Sequence, residues 1–249
     1  MSLGTLEIKN MKKLLAGASK LGLSLSDDQV RQFEEYYREM MDWNQRINLT
    51  AITGYEEVQI RHFLDSLTIL SVLDVSRRHE QVSILDAGTG AGLPGIPLKI
   101  AVPEIKLTLV EATGKKTAFL DRVINVLGLK NVEVVTGRAE VLAHNTDYRA
   151  GFDFVISRAV ASLATLVELT LPFCLTGGTV IAPKKGDVSR EIEEASKAID
   201  TLGGSLREVR TVELDGLIDD RCLAIIDKVS PTPDRYPRRP GIPEKRPIK

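Results

Sequence analysis

Four groups of residues in this chain have the types and spacing to bind or position a reactive molecule. The first is the run D-A-G-T-G-A-G-L-P-G from Asp86 to Gly95. Its Gly88, Gly90 and Gly92 permit backbone angles that residues with a Cβ avoid, and they let main-chain N–H groups approach a ligand. The second is Glu111, an acid about twenty residues beyond the turn, where a nucleotide-binding unit places a carboxylate against ribose hydroxyls. The third is Arg158, in S-R-A after an apolar run, and the fourth is R-H-F-L-D-S-L, whose His62 and Asp65 lie three apart and share a helix face. Gly90, Gly92 and Gly95 also satisfy G-x-G-x-x-G, so spacing alone does not separate the ligand classes that use such a corner.

These residues need elements to hold them. Val82, Ile84 and Leu85 form a short apolar run that predicts a buried strand breaking at Asp86 into the glycines. A short helix follows from about Gly95 to Ala101, with Pro94 tolerable at its entry, and its N-terminus favours negative charge. Lys106 to Val110 predicts a second strand ending at Glu111, and a helix from about Lys115 to Leu127 stops at Gly128. Val132 to Val135 and F-D-F-V-I predict third and fourth strands, the fourth ending at Ser157, Arg158 and Ala159. Leu163 to about Cys174 reads as a helix, Thr179 to Ala182 as a fifth strand ending in P-K-K-G, and Val188 to Leu202 as a further helix. This alternation implies right-handed crossovers and an α/β fold with a mostly parallel sheet covered on both faces. Leu206 to Leu214 and Cys222 to Val229 have no helix between them and predict an antiparallel edge hairpin.

Both flanks differ from this centre. Before it, helical spacing runs from about Ile8 to Gly22, from a Ser26 cap to about Trp43, and from Glu56 to Leu73, with W-N-Q-R-I-N-L-T-A-I-T as an ordered polar loop. Trp43 reads as a core anchor, and His62 with Asp65 reads equally as a helix-surface pair. After it, S-P-T-P-D-R-Y-P-R-R-P-G-I-P-E-K-R-P-I-K is too rich in proline for helix or central strand. Its cations outnumber Asp234 and Glu244, and Tyr236 among them suggests a segment that packs back on the domain and offers charge to phosphates. The expected division is residues 1–75 as a helical extension, 76–229 as the core, and 230–249 as the basic tail.

Composition narrows the classes. With 43% hydrophobic and 27% charged residues, the chain falls among ordinary globular proteins. No apolar run approaches a membrane span, no signal-peptide pattern opens the chain, and a cytoplasmic protein without membrane contact is expected. Two cysteines without C-x-x-C spacing indicate neither a disulfide framework nor a metal site. A net charge of -1 argues against a uniformly basic nucleic-acid binder and makes the cationic tail stand out.

Asp86 at the strand end before D-A-G-T-G-A-G resembles motif I of S-adenosylmethionine-dependent methyltransferases. In that superfamily an acid ending the second strand holds both ribose hydroxyls, the place of Glu111 here. A nicotinamide enzyme would usually need a sizeable substrate domain, for which this chain has little room. The resemblance then narrows. W-N-Q-R-I-N-L-T-A-I-T, R-H-F-L-D-S-L, L-D-A-G-T-G-A-G-L-P-G-I-P-L-K-I, T-G-R-A-E, S-R-A-V-A and Y-P-R-R-P-G-I-P-E-K-R-P together resemble the bacterial 16S ribosomal RNA guanine-N7 methyltransferase G family, also called glucose-inhibited division protein B. P-K-K-G departs from the family's usual aliphatic residue and single lysine.

The resemblance implies a Rossmann-like class I methyltransferase with a seven-stranded sheet. It implies S-adenosylmethionine as cofactor and N7 of a guanosine in 16S rRNA as acceptor, with the small ribosomal subunit or its assembly intermediate as partner and a monomeric enzyme. It also implies that Gly88, Gly90 and Leu93 border the cofactor, that Glu111, Ala112 and Thr113 serve its ribose and surroundings, and that Ala139 and Glu140 lie on the adenine side. Arg158 would stand in the cleft as a positioning residue, and His62, Lys184, Arg235, Arg238 and Arg239 would face RNA. A small-molecule methyltransferase and a non-catalytic nucleotide sensor on the same fold remain alternatives. The chemistry agrees with the N7 assignment. Exocyclic-amine enzymes often carry an acid or amide, two prolines and an aromatic after the fourth strand, where this chain has Ser157-Arg158-Ala159. Pyrimidine C5 enzymes need a cysteine nucleophile, whereas Cys174 and Cys222 are expected in an apolar helix and an edge strand.

Overall fold

The computed structural model describes residues 11–73, 81–158, 161–213 and 220–249. A seven-stranded sheet lies at its centre, built from β1 (Ser83–Ala87), β2 (Lys106–Glu111), β3 (Val132–Thr136), β4 (Phe152–Ile156), β5 (Cys174–Lys185), β6 (Gly204–Val212) and β7 (Arg221–Lys228). The order is β3-β2-β1-β4-β5-β7-β6. The first five strands pair in parallel, while β7 runs antiparallel between β5 and β6. Burial follows position. β1, β2 and β7 are buried almost continuously, as strands covered on both faces must be, whereas edge strand β6 alternates between buried or half-buried and exposed residues.

Helices cover the two faces. On one side lie α1 (Lys12–Lys20), α2 (Asp27–Asn44), α5 (Gly95–Ala101) and α6 (Gly114–Leu127), together with a compound helical stretch between α2 and β1. That stretch begins as α3 (Tyr55–Val58), widens into a π-helical segment (Gln59–Leu64), returns through α4 (Asp65–Leu67) and tightens into a 3-10 turn (Thr68–Ser71). On the other side lie α7 (Ala139–Leu142), α8 (Leu163–Thr170) and α9 (Ser189–Thr201). A last short helix, α10 (Ile242–Lys245), interrupts the tail.

Local signals explain several boundaries. Ser26 accepts from the Gln29 N–H while the Gln29 side chain accepts from the Ser26 N–H, a reciprocal cap that starts α2. Gly128 ends α6 at φ 64, a left-handed stop that glycine reaches without a Cβ penalty. Trp43 packs on Phe119 of α6 with ring centroids 5.7 Å apart, so it serves as a core anchor.

The structure corrects four expectations. α8 ends at Thr170, and Cys174 opens β5 instead of closing a helix, because Gly177 at φ 90 and Gly178 let one strand continue through the irregular register opposite β4. β7 is an inner strand, so buried Cys222 sits inside the sheet instead of at its edge. The tail accommodates α10 because Pro243 stands in the first turn, where an N–H has no helical acceptor. The third helix is not regular but carries the π-helical segment. Ile8 to Asn10, Ala159, Leu214 and the 75/76 boundary fall outside the described residues.

The helical extension also backs the glycine turn. Phe63 packs against Phe33 and Tyr36 at 5.1 and 5.3 Å between centroids. Buried Tyr36 hydrogen-bonds the Ala91 carbonyl within the turn. His62, 8% exposed, contacts Thr50 Oγ1 through Nε2 at 2.7 Å and the Arg61 carbonyl through Nδ1 at 3.1 Å. Burial lowers its pKa to about 4, helped by the positive charge of Arg158. The unfolded chain, with an imidazole near 6.5, therefore binds the extra proton between those two values. This contribution to stability is complete above the upper value and is lost as pH falls through the lower one. Replacing His62 by Gln removes it, so the stability advantage of the parent over H62Q, read from urea midpoints, shrinks by up to about 3 kcal/mol between neutral pH and about pH 4. An advantage that stays constant over that range contradicts a buried neutral imidazole.

Candidate active site

A cleft of about 160 Å³ opens at the carboxyl ends of β1, β2, β3 and β4. β1 and β4 are the neighbours at which the strand order reverses, the place where open α/β sheets bind ligands. Gly88 comes from the turn after β1, Glu111 and Ala112 from the end of β2, and Arg138, Ala139 and Glu140 from the loop after β3 and the start of α7. Ser157 after β4 and Leu169 of α8 lie on the facing wall.

The turn holds its shape through Asp86. Its Oδ2 accepts from Thr89 Oγ1 at 2.7 Å and from the Gly95 N–H at 2.9 Å, joining the loop to the first turn of α5. A Cβ on Gly95 would stand 2.6 Å from Leu109 Cδ2 and 2.9 Å from Asp86 Oδ2, so any other residue there must displace one of these side chains. Gly90 differs: its φ is +61 and the space where a Cβ would project is open. Asp86 Oδ1 is buried and has no hydrogen-bond partner among the described residues. Burial pushes this carboxyl up to about 6, against the Thr89 and Gly95 hydrogen bonds and the charge of Arg158.

Glu111 closes the next corner. Its Oε2 accepts from the Gly90 N–H at 3.1 Å and its Oε1 from the Thr113 N–H at 2.9 Å, leaving lone pairs on both oxygens at the cleft wall. Glu140, 5% exposed, takes the Arg138 guanidinium at 2.6 Å and the Gly241 N–H at 3.0 Å on one oxygen. Burial works against its charge, but the Arg138 and backbone hydrogen bonds win, and its pKa lies below the ordinary value.

Of the residues expected at the site, Gly88, Glu111, Ala112, Ala139 and Glu140 line the cleft, and Gly90 and Thr113 reach it through their hydrogen bonds to Glu111. Leu93 is buried in the core beneath the turn. Arg158 follows Ser157 and donates to Asp65 Oδ2 at 3.1 Å. The other Asp65 oxygen lies 3.4 Å from Arg221 Nε, an ion pair without hydrogen-bond alignment. The structure thus gives Asp65 two guanidinium partners in place of a helix-surface role.

The residues expected to face RNA divide. His62 lies inside, as described above, and Lys184 spends its ammonium on Glu191 at 2.7 Å and the Ala161 carbonyl at 2.9 Å. Arg238 binds buried Glu168 through both side-chain and main-chain nitrogens, with its closest contact at 2.6 Å. These pairings satisfy groups that a phosphate would otherwise have to win. Arg235 and Arg239 are exposed, and the Arg235 guanidinium lies 5.1 Å from the centre of the Tyr236 ring. Sequence reasoning missed Arg138, although it stands in T-G-R-A-E, and it missed Leu169 in the lining, Arg221 beside Asp65 and Glu168 beside Arg238, which only the tertiary fold brings to their places.

The cleft suits a nucleoside whose far end is cationic. Glu111 and Glu140 put two carboxylates on its wall, and the lining cation Arg138 is already paired with Glu140. The first N–H of α5, which a pyrophosphate would seek, is committed to Asp86. The residues therefore fit S-adenosylmethionine, with open space at Gly90, better than a dinucleotide.

Comparison with known proteins agrees with this geometry. The family model described as rRNA small subunit methyltransferase G matches residues 29–217. The ribosomal RNA small subunit methyltransferase G of Dehalococcoides mccartyi (strain CBDB1) is 52% identical over 238 residues, covering 96% of this chain and 100% of that protein. Its namesake from Roseiflexus castenholzii (strain DSM 13941 / HLO8) is 48% identical over 239 residues, with 96% and 100% covered. The crystal structure of precorrin-6y C5,15-methyltransferase from Geobacter metallireducens GS-15 has a TM-score of 0.50 at 12% identity, covering 74% of this chain and 95% of that one, a likeness of fold alone. Matched by the family model over most of its length and by these relatives from end to end, the chain belongs to the rRNA small subunit methyltransferase G family.

Proposed function

We infer that this chain transfers a methyl group from S-adenosylmethionine to N7 of a guanosine in 16S rRNA, acting in the cytoplasm as a monomer on the small ribosomal subunit or its assembly intermediate. The observation that carries the reading is the acid-walled cleft at the β1/β4 reversal, in a chain that matches this family along nearly its whole length. Gly88 and Gly90 border the methionine end, Glu111, Ala112 and Thr113 serve the ribose, and Ala139 with Glu140 flanks the adenine, while Leu93 supports the turn from the core instead of touching the cofactor.

When bound, the cofactor supplies an electrophilic methyl on a cationic sulfur. Guanine N7 presents an in-plane lone pair and carries no proton, so no residue has to act as base during transfer. Buried His62, with its nitrogens directed to Thr50 and Arg61, is not called upon for proton transfer. Arg158 orients the guanine or its phosphate, and Asp65 holds the guanidinium in place at 3.1 Å. Catalysis is then mainly alignment, which supplies roughly 7 to 11 kcal/mol in well-oriented reactions. The exposed cations Arg235 and Arg239 flank the docked tail and support phosphate contact there.

Labelled S-adenosylmethionine mixed with undermethylated small subunits tests the assignment. The label is expected on N7 of a guanosine in 16S RNA. Label on another atom, or on a free metabolite without RNA, overturns it. The two site carboxylate and guanidinium roles separate kinetically. Glu111→Ala should raise the cofactor Kd roughly ten- to a hundredfold, the worth of hydrogen bonds to a charged group. Arg158→Ala should instead lower kcat by about a hundredfold, the effect of misplacing the acceptor. Unchanged cofactor affinity in the first, or unchanged kcat in the second, contradicts the assigned role.

A further inference from the structure

The C-terminal segment does more than cover apolar surface. After β7, Arg149 donates to the carbonyls of Tyr236 and Thr232, each at 2.9 Å, and His144 Nε2 meets the Pro237 carbonyl at 2.8 Å. Arg238 then binds Glu168 of α8, the Gly241 N–H binds Glu140 of α7, and Thr165 of α8 donates to the Pro243 carbonyl at 3.1 Å. The segment is a strap that ties α7 to α8. Those two helices contribute Glu140 and Leu169 to the walls of the cleft.

Glu168 directly precedes Leu169, is 0% exposed, and takes Arg238 on both carboxylate oxygens. A buried carboxylate without a partner is strongly unfavourable, so Glu168 compels the strap to dock. Docking in turn delivers the Gly241 N–H to Glu140, where it shares one oxygen with Arg138. The chain of contacts runs from Glu168 through Arg238 and the strap backbone to a carboxylate on the cleft wall.

We propose that Glu168 and Arg238 are positioning residues for the cofactor, acting through the strap to fix Glu140 and the α8 wall. The proposal rests on the adenine end lying beside Glu140, as in the reading above. A cofactor that requires the docked strap must, by reciprocity, hold the strap down by the same factor that strap release weakens cofactor binding. A strap that is only a structural anchor shows no such equality.

The test uses the full chain with Glu168→Gln, Thr165→Val and the conservative Arg238→Lys. Cofactor affinity is measured by calorimetry with S-adenosylhomocysteine, kcat and KM on undermethylated small subunits, and strap release by the rate of tryptic cleavage within residues 235–246. E168Q should raise Kd and the cofactor KM about tenfold, within the usual range of coupling between sites. Its kcat at saturating cofactor should stay within about twofold, because no group at the reacting atoms has changed. T165V should do less, and R238K should retain most of the parent affinity. In the parent chain, S-adenosylhomocysteine should slow strap cleavage by the factor that E168Q loses in affinity, a measurement that needs no variant to fold. Cleavage indifferent to the ligand, or E168Q with a released strap and parental Kd, overturns the proposal. A parent chain that takes up no adenosyl compound instead overturns the cofactor assignment beneath it.

Discussion

One buried carboxylate sets the geometry on which the site depends. Asp86 ends β1, and a single oxygen of its side chain accepts from both Thr89 and the first N–H of α5. That pair of bonds fixes the curvature of the glycine turn and brings α5 so close that a Cβ at position 95 would displace Asp86 or Leu109. The cost is visible in the same residue, whose second oxygen is buried without a partner among the described residues and whose pKa rises to about 6. The preference of the cleft for a ligand carrying positive charge rests instead on Glu111 and Glu140, the carboxylates that line it.

Around this corner the fold uses long-range polar pairs to bring distant segments into register. Asp65 in the helical extension is separated from Arg158 by 93 residues, yet it pairs with that arginine and with Arg221 at the start of β7. Glu140 and Glu168 perform the same task on the opposite side for the C-terminal strap. For Asp65 and Glu168 the acid is buried and the cation arrives from another element, so neither partner can be removed without leaving a charge in a low-dielectric setting, whereas Glu140 takes its cation from neighbouring Arg138 and only an N–H from the strap. The N-terminal helices pack behind the glycine turn and the C-terminal segment packs across α7 and α8, both attached by charge as well as by apolar packing.

What the sequence makes legible follows from the range of the interactions. The glycine turn, Glu111, the alternation of strands and helices and the Ser26 cap are encoded within single short units, and each stands where spacing predicts it. The antiparallel pair after α9 is equally readable, because the absence of a helix between two strands leaves few alternatives. The assignment of Cys174 to a helix fails because Leu171 to Cys174 is apolar and short, a pattern that helix ends and buried strands share. Arg238 and Lys184 read as free cations for a similar reason: their acids, Glu168 and Glu191, lie on helices that only the tertiary fold brings near. Glu168 in particular is the one charged residue of its helix, and that charge is the local sign of a buried partner.

In the proposed reaction, methyl transfer is alignment of a proton-free nitrogen, with no proton moving in the step that forms the bond. The solvent isotope effect on a single turnover, with cofactor-loaded enzyme mixed with excess undermethylated small subunits, tests that directly. The same rate constant in light and heavy water is predicted, because neither His62 nor any other group transfers a proton during the chemistry. A rate constant clearly lower in heavy water, and abolished as an effect in H62Q, would contradict it.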